Sequence, residues 1–169
     1  VVDAALLAVE IAQASSRTVD ESVQLADVEV VCDEVGHGAK KHPFDVRLNK
    51  RIELLLDCDR LMEQAADVQL RRGLIGAAAE EKHFVSSEGA RIYQERVETQ
   101  ACIEATATGA GEAQRRSYPA SHGGQMTTRG WEMVDELDLR GAAVSTAQEA
   151  EALLTAPELP AGRFDIVLD

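Results

Sequence analysis

The strongest constraint on the fold is a long alternating stretch between residues 93 and 108. One set of its side chains is apolar or small: Tyr93, Val97, Thr99, Ala101, Ile103, Ala105 and Ala107. The intervening set is polar: Gln94, Arg96, Glu98, Gln100, Glu104, Thr106 and Thr108. Because successive side chains of a strand point to opposite faces, this pattern predicts a half-buried antiparallel strand with one face in water. The expected buried residues are Tyr93, Val97, Ala101 and Ile103, and the expected more exposed ones are Arg96, Glu98 and Glu104.

The segments around this strand complete a predicted sheet. Residues 68–78 and 81–87 alternate before it, and the turn "SSEG" leads into it. "GAG" at 109–111 supplies the next turn, after which residues 112–119 return as another strand. The sequence therefore predicts an antiparallel meander of four strands within residues 68–119.

Four segments have the residue spacing or composition of helices: 1–17, 47–64, 127–139 and 139–155. The third is expected to be capped by Thr127 or Thr128. One face of the second carries its apolar residues, namely Leu48, Ile52, Leu55, Leu56 and Met62. We expect this helix to cover the apolar side of the meander. The predicted fold class is α+β, an antiparallel β-meander packed with helices.

Outside the meander, the apolar runs "VEVVC" (28–32) and "FDIVL" (164–168) predict two short strands, the second after a Gly-led turn. The Gly and Pro content of residues 35–45 predicts a loop.

Composition argues against several kinds of partner. The net charge is −13, with 30 acidic against 17 basic side chains. Nucleic acid is not expected, because its phosphates require clustered Lys and Arg. A membrane partner is not expected either, because no apolar run approaches the roughly 20 residues that cross a bilayer. Cys32, Cys58 and Cys102 are odd in number and far apart, which favours reduced, cytosolic thiols, although their roles stay open.

The histidines do not predict a metal site. Cys32, His37 and His42 lie close in sequence, but a structural zinc needs four ligands, and neither a CxxC nor an HxxxH pair is present. His83 and His122 are not followed by the Glu of a helical zinc motif. Ordinary structural roles are the better interpretation for all four histidines.

Other catalytic signatures are also missing. The serines lie in neither a Ser-x-x-Lys nor a Gly-x-Ser-x-Gly setting. Gly36 and Gly38 lack the rest of a dinucleotide-binding fingerprint. The acidic run at 132–138 is most simply a solvated helix face, so we predict no catalytic residue in this chain.

Arg115, Arg116 and Tyr118 are the candidate substrate-binding residues. The two arginines end a predicted strand next to a Gly-rich loop. A guanidinium holds a carboxylate through two hydrogen bonds, and an edge strand can take up an extended peptide. Neighbouring strand residues point to opposite faces, so we expect one arginine to meet acidic side chains within the chain and the other to face a bound peptide. The alternative is that both pair with the acidic flanks.

Four segments together carry a family resemblance: "FVSSEGARIYQE", "ATATGAGEAQRRSYP", "HGGQMTTRGWE" and "LLTAPELPAGRFDIVLD". In this order they resemble the TldD/PmbA family of metallopeptidases. The most informative parts are the Ser-Glu-Gly turn, the Arg-Arg-Ser-Tyr-Pro strand end, the Gly-Trp-Glu helix start and the Pro-x-Gly lead into the last strand. The Arg-Arg-Ser-Tyr-Pro segment favours the TldD type.

The resemblance implies a piece of a longer protein. In that family, the strand similar to "FDIVLD" leads into a helix with a His-Glu-x-x-x-His zinc motif. Residues 1–46 would be the tail of an N-terminal α/β domain and a linker, 47–156 the central α+β domain, and 157–169 the first strand towards a catalytic domain. The zinc ligands would all lie outside this sequence.

The resemblance also implies a function for the parent protein. It would be a cytoplasmic zinc peptidase, a hydrolase acting on small unfolded peptides as a homodimer or as a TldD–PmbA-type heterodimer. The alternative is an interaction or regulatory module without its own catalysis, either the inactive PmbA-type partner subunit or a modulator of DNA gyrase, an older family label. The active and inactive subunit types differ most in the absent segment, so a zinc motif downstream of Asp169 would decide between them.

Overall fold

The computed structural model describes residues 1–18, 26–36, 38–109, 111–119 and 123–167. The chain divides into two units, Val1–Val31 and Cys32–Asp169. The first contains α1 (Val2–Ser16), which confirms the first predicted helix, and none of its residues is buried. The predictions for His37, His122 and Leu168 fall outside the described residues.

The second unit is built around one long strand. Its elements are β1 (Cys32–Gly36), a 3-10 helix (Pro43–Asp45), α2 (Leu48–Met62), β2 (Val68–Val85), β3 (Arg91–Gly109), β4 (Glu112–Tyr118), β5 (Gln125–Thr127), α3 (Glu132–Leu137) and α4 (Leu139–Leu153). Strand β2 pairs antiparallel with one edge of β3 along residues 91–107. The other edge of β3 is shared by β1 at residues 91–95, β5 at 99–101 and β4 at 103–109.

These elements confirm the α+β class but correct the predicted sheet. The described residues form four α-helices and a five-stranded sheet. Because β1 runs parallel to β3, the sheet is mixed, and the prediction of a purely antiparallel meander is wrong. The predicted strands 68–78 and 81–87 are also one continuous strand, since the residues between them have no turn-forming Gly or Pro and pair with β3 without a break.

The predicted register of β3 is confirmed over most of its length. Val97, Ala101 and Ile103 are buried, whereas Arg96 is exposed and Glu98 and Glu104 are partly exposed. Tyr93 is the exception, since it is only half-buried. It lies towards the end of the sheet, where the core of the protein does not extend.

Helix α4 covers the buried face of β3, whereas α2, which was predicted to cover the apolar side of the meander, lies over β2. Helix α4 contributes Ala143, Ala147 and Ala150 to the core, and these small side chains allow close approach to the sheet. Helix α2 lies beside α4 and over β2, where Leu55 contacts Gly73 so closely that a Cβ at Gly73 would come within 2.8 Å of Leu55 Cδ2. The predictions of α2 and α4 are therefore confirmed.

The predicted buried face of α2 is only partly right. Met62 is buried, together with Cys58, which the apolar pattern did not select. Leu48, Ile52 and Leu56 are instead 66%, 44% and 47% exposed. The helix turns its C-terminal half towards the core and leaves this apolar stripe in solvent.

Three further boundaries differ from the predictions. The strand predicted at 28–32 begins only at Cys32 and continues to Gly36, because residues 32–36 are the ones that pair with β3. The strand therefore includes the start of the loop that was predicted at 35–45. Residues 163–167 form no strand, and Ile166 and Val167 are exposed without the neighbouring strand that a ladder requires. Helix α3 begins at Glu132, after Trp131, because Thr127 belongs to β5.

Candidate functional site

Three charged side chains from three strands meet on the open face of the sheet, the face opposite α2 and α4. Arg72 of β2 lies directly across from Glu104 of β3. Arg115 of β4 lies across from Thr106, which makes it a diagonal neighbour of Glu104. Long side chains at diagonal positions are within reach of each other. The pairing of the strands therefore assembles an arginine–glutamate cluster consisting of Arg72, Glu104 and Arg115.

The Glu104 carboxylate lies between the two guanidinium groups. Its Oε2 is 3.4 Å from Nη1 of Arg115, and its Oε1 is 3.9 Å from Nη1 of Arg72. The side chain of Glu104 is only 14% exposed, whereas Arg115 and Arg72 are 48% and 70% exposed. Two cations and one anion leave one positive charge in excess. Since a guanidinium carries five N–H donors, the cluster has donors directed at solvent that suit a carboxylate or a carbonyl oxygen.

A cavity of about 270 Å³ adjoins the cluster. Its lining comprises Arg72, Gly73, Leu74, Cys102, Glu104, Arg115 and Gly123. Its wall on one side is the Gly123–Gly124 loop, which Gln100 Nε2 fixes by donating a 2.7 Å hydrogen bond to the Gly123 carbonyl. Gly124 has φ +79°, and a Cβ there would come within 2.2 Å of Cys102 Cβ. Glycine is therefore required for the loop to lie this close to β3.

The thiol of Cys102 is in the cavity wall but is not activated. Burial raises its pKa above the usual range, and the neighbouring Glu104 carboxylate raises it further. The nucleophilic form of cysteine is the thiolate, so a raised pKa leaves this thiol protonated at neutral pH. The Glu104 carboxylate is already shared by two cations. The arrangement is suited to binding an anionic or carbonyl group rather than to forming a covalent bond.

The two arginines lie on opposite faces, as predicted, but both have acidic partners. Arg116 points to the helix face, where its Nε is 2.7 Å from Glu149 Oε2 of α4. Arg115 points to the open face and contacts Glu104. Arg116 thus meets an acid within the chain, as expected for one of the two, and Arg115 meets an acid as well, which was not expected. The reason is that Glu104, predicted as a solvent-facing residue, lies within reach across the β3–β4 pair.

Tyr118 is on the helix face, away from the cavity. It pairs with Ile103, and its hydroxyl donates a 2.8 Å hydrogen bond to the carbonyl oxygen of Leu137. This bond ties the end of β4 to the end of α3. Contact between Tyr118 and a peptide stays a prediction, as it does for Arg115 and Arg116.

The sequence-based prediction missed Arg72, Glu104 and Cys102 as site residues. A signal was present in the sequence, because an antiparallel pairing of residues 68–78 with β3 places Arg72 opposite Glu104, an acidic residue on the solvent-facing side of β3. Finding the match required the register, which the turn residues alone did not fix.

The residues weighed as metal ligands have other contacts. The Cys32 thiol lies 3.6 Å from the Gly89 carbonyl oxygen, and His42 Nδ1 accepts from the Phe44 N–H at the start of the 3-10 helix. The His83 ring lies against the Tyr93 ring in a tilted arrangement, with 4.8 Å between the ring centroids. Within the described part of the chain, no group of three or more His, Cys, Asp or Glu side chains is placed to hold a metal ion.

None of the described helices combines the length and the apolar character needed to cross a lipid bilayer.

Comparison with known proteins identifies the family. A search of curated proteins found no match. Residues 41–154, which include α2, α3, α4, the arginine–glutamate cluster and its cavity, match the family model described as the PmbA/TldA metallopeptidase central domain. The chain therefore belongs to the PmbA/TldD metallopeptidase family.

Proposed function

We propose that this chain is the non-catalytic N-terminal and central part of a cytoplasmic zinc peptidase that degrades or trims small unfolded peptides. The observation that carries the proposal is the family match over residues 41–154. The division into a tail and linker at 1–46, a central domain at 47–156 and a lead strand at 157–169 belongs to the same proposal. The parent enzyme would act as a homodimer or as a TldD–PmbA-type heterodimer.

Zinc, in this proposal, is bound outside the chain. The described residues offer no suitable ligand group, so we assign no step of hydrolysis to a metal held here. The contribution of this part would be to hold peptide. Arg115 faces the open side of the sheet beside a cavity and has exposed N–H donors, so it suits a substrate carboxylate or backbone carbonyl.

The first test compares the chain alone with the full-length protein. We expect the 169-residue chain to leave an unstructured peptide intact when zinc is added. The full-length protein should cleave the same peptide and should lose that activity on chelation. Zinc-dependent cleavage by the chain alone would contradict the proposal.

The second test concerns the arginines in the full-length protein. Arg115→Ala should lower kcat/KM roughly tenfold or more, because a charge-assisted hydrogen bond contributes about 1.5–3 kcal/mol. Arg116→Ala is the matched control, since Arg116 lies on the opposite face and pairs with Glu149. It should stay near the parent rate. Equal rates for both variants and the parent would show that Arg115 does not contact substrate.

The alternative is an interaction or regulatory module, either a PmbA-type inactive subunit or a modulator of DNA gyrase. A full-length protein that has no zinc-dependent activity alone, but restores activity to a TldD-type subunit, would favour the inactive-partner alternative. A net charge of −13 gives direct DNA binding no support.

A further inference from the structure

Arg72 and Arg115 are held less tightly by acidic side chains than their sequence neighbours Arg71 and Arg116. Arg71 and Arg116 point to the helix face, where each donates a hydrogen bond, of 2.8 Å and 2.7 Å, to a carboxylate of α2 or α4. Arg72 and Arg115 share the single carboxylate of Glu104 on the open face, at nitrogen–oxygen distances of 3.9 Å and 3.4 Å. Within the part of the chain that the structure describes, neither of these two guanidinium groups donates a hydrogen bond. Their N–H donors are therefore left for a ligand.

The cluster prefers a full negative charge to a neutral acceptor. Arg72, Glu104 and Arg115 are the charged residues in the lining of the cavity, and together they carry one net positive charge. Because both guanidinium groups reach one carboxylate, that of Glu104, they are close enough to share a second carboxylate placed beside it. Hydrogen bonds to an ionised acceptor are roughly twice as strong as those to a neutral one. A carboxylate, with two charged oxygens, therefore suits the cluster better than the single uncharged oxygen of a backbone carbonyl.

The shape of the cavity favours the end of a peptide over its middle. A carbonyl within a peptide brings chain with it on both sides, whereas a terminal carboxylate brings chain on one side only. One side of the cavity is closed by the Gly123–Gly124 loop, which packs against β3 and is fixed by the hydrogen bond from Gln100. The volume of about 270 Å³ is also below the roughly 300–1,000 Å³ of pockets that enclose whole ligands. The cavity is therefore suited to the end of an extended chain.

An apolar surface adjoins the arginines within the same cavity. Leu74 lies two residues after Arg72 on β2, so its side chain is on the same open face, and it is 42% exposed. It lies directly across from Cys102. A peptide whose carboxylate contacts Arg72 and Arg115 would bring its last side chain close to Leu74. We therefore expect an apolar last residue to bind best, because its contact with Leu74 removes apolar surface from water.

We propose that the arginine–glutamate cluster recognises the free C-terminal carboxylate of a peptide, and that Arg72 and Arg115 are the residues that select it. This inference rests on the proposed function, in which this part of the protein holds peptide. It narrows the substrate from peptides in general to peptides that present a free C-terminus to the cavity. The selectivity would be local, because a protein of net charge −13 repels carboxylates as a whole.

Binding of a matched pair of peptides to the full-length protein tests the inference. One peptide is the pentapeptide Ala-Ala-Ala-Ala-Leu with a free C-terminal carboxylate, and the other is the same peptide with a C-terminal amide. Each carries a fluorophore at its amino end, and a chelator is present so that no zinc-dependent activity consumes the peptide. Fluorescence anisotropy should show that the acid binds about tenfold or more tightly than the amide, because the amide cannot accept charge-assisted hydrogen bonds.

Arginine variants show whether the cluster is the source of this preference. Arg115→Ala should reduce the ratio of acid to amide affinity to within about twofold, and Arg72→Ala should lower the ratio about threefold or more. Both variants should leave the affinity for the amide nearly unchanged, a result that a general disturbance of the fold would not give. Arg116→Ala is the matched control and should keep the full preference, since Arg116 lies on the opposite face.

Glu104→Gln should have the opposite effect. The Glu104 carboxylate competes with the ligand for the donors of Arg72 and Arg115, and its removal raises the net charge of the cluster from +1 to +2. We expect the acid peptide to bind about threefold or more tightly to this variant than to the parent, with no change for the amide. Loss of folded protein would weaken binding, so tighter binding reports the cluster itself.

Three results would overturn the inference. The first is equal binding of the acid and the amide, or no binding of the acid at about 1 mM. The second is an acid preference that survives in both Arg115→Ala and Arg72→Ala. The third is a folded Glu104→Gln variant, verified by circular dichroism, that binds the acid no more tightly than the parent does.

Cleavage of the same two peptides without chelator separates this inference from the proposed function. Zinc-dependent cleavage together with equal binding of acid and amide would contradict the carboxylate site but not the peptidase. An acid preference that depends on Arg72 and Arg115, in a full-length protein without zinc-dependent cleavage, would contradict the peptidase but not the carboxylate site.

Discussion

The two halves of β3 differ in what covers them. From Val97 to Ala107 the odd-numbered residues are buried, and those from Ala101 onwards share one core with α4. Cys102 on the opposite face is covered by the Gly123–Gly124 loop. From Arg91 to Arg96, the same strand is only half-buried or exposed. Its neighbours there are equally open, since every residue of β1 and residues 78–85 of β2 are exposed.

The difference shows that alternation and coverage are separate properties. The alternating pattern indicates which face of a strand is apolar, and it continues through Tyr93. It does not indicate how far the helices extend. The core that the helices form with the sheet does not include Phe84 and Val85, which are exposed at the far end of the sheet. The stability of the unit should accordingly be concentrated in one half.

The largest expected effect comes from a matched pair of isoleucines in β3. Ile103→Ala removes a fully buried side chain and should lower the free energy of unfolding by about 2–4 kcal/mol. Ile92→Ala, in the uncovered half, should cost about 1 kcal/mol or less, because Ile92 is only half-buried. Urea denaturation of both variants measures the contrast. Equal losses would mean that the two halves contribute alike.

Gly124→Ala tests the Gly123–Gly124 loop that covers Cys102. It should lower the free energy of unfolding by about 1–3 kcal/mol, because the new Cβ would collide with β3 and φ is positive. Gly111→Ala is the control: its φ is +86°, but a Cβ there meets nothing within 4 Å, so the free energy of unfolding should fall by only about 1 kcal/mol, from backbone strain. Thermal melting measures both. Displacement of the loop should also accelerate labelling of Cys102, and unchanged labelling would indicate that the loop does not protect this thiol.

Glu132 tests the connection between the segment after β1 and the covered half. Its carboxylate accepts hydrogen bonds from the N–H groups of Gly130, Lys40 and Lys41. Burial alone would raise its pKa, but the backbone N–H of Glu132 itself and these three N–H groups outweigh burial and lower the pKa to about 2. Because the folded-state value lies below the unfolded one, the resulting stability is present above about pH 4.5 and is lost as the pH falls towards 2.

Glu132→Gln should therefore lower the free energy of unfolding at pH 7 by about 1–2 kcal/mol, and its stability should fall less steeply between pH 4.5 and 2. Glu149→Gln, which breaks an exposed ion pair with Arg116, is the control and should cost less than about 1 kcal/mol. Urea titrations across this pH range make the comparison. Parallel pH profiles for parent and Glu132→Gln would contradict the assignment.

The candidate site was predictable in part. That Arg115 and Arg116 lie on opposite faces follows from the period of a strand, and the structure confirms it. The convergence of Arg72 and Arg115 on Glu104 was not predicted, because it requires three strands to be aligned. Arg72 and Glu104 are 32 positions apart in sequence, and local patterns carry little information about which residues of two strands lie opposite each other.

The sequence by itself determined the alternating faces of β3, the turn at "SSEG", the spans of α1, α2 and α4, and the resemblance to the family. These are local features, because turn residues and side-chain periodicity act over a few residues. Tertiary structure decided that β2 is one continuous strand, that β1 joins the sheet in parallel, and that the Leu48, Ile52 and Leu56 stripe of α2 stays exposed. Each of these outcomes depends on which other segment the strand or helix packs against. Local propensity makes a strand or helix possible, but the surface that it contacts decides how it pairs and which of its faces is buried.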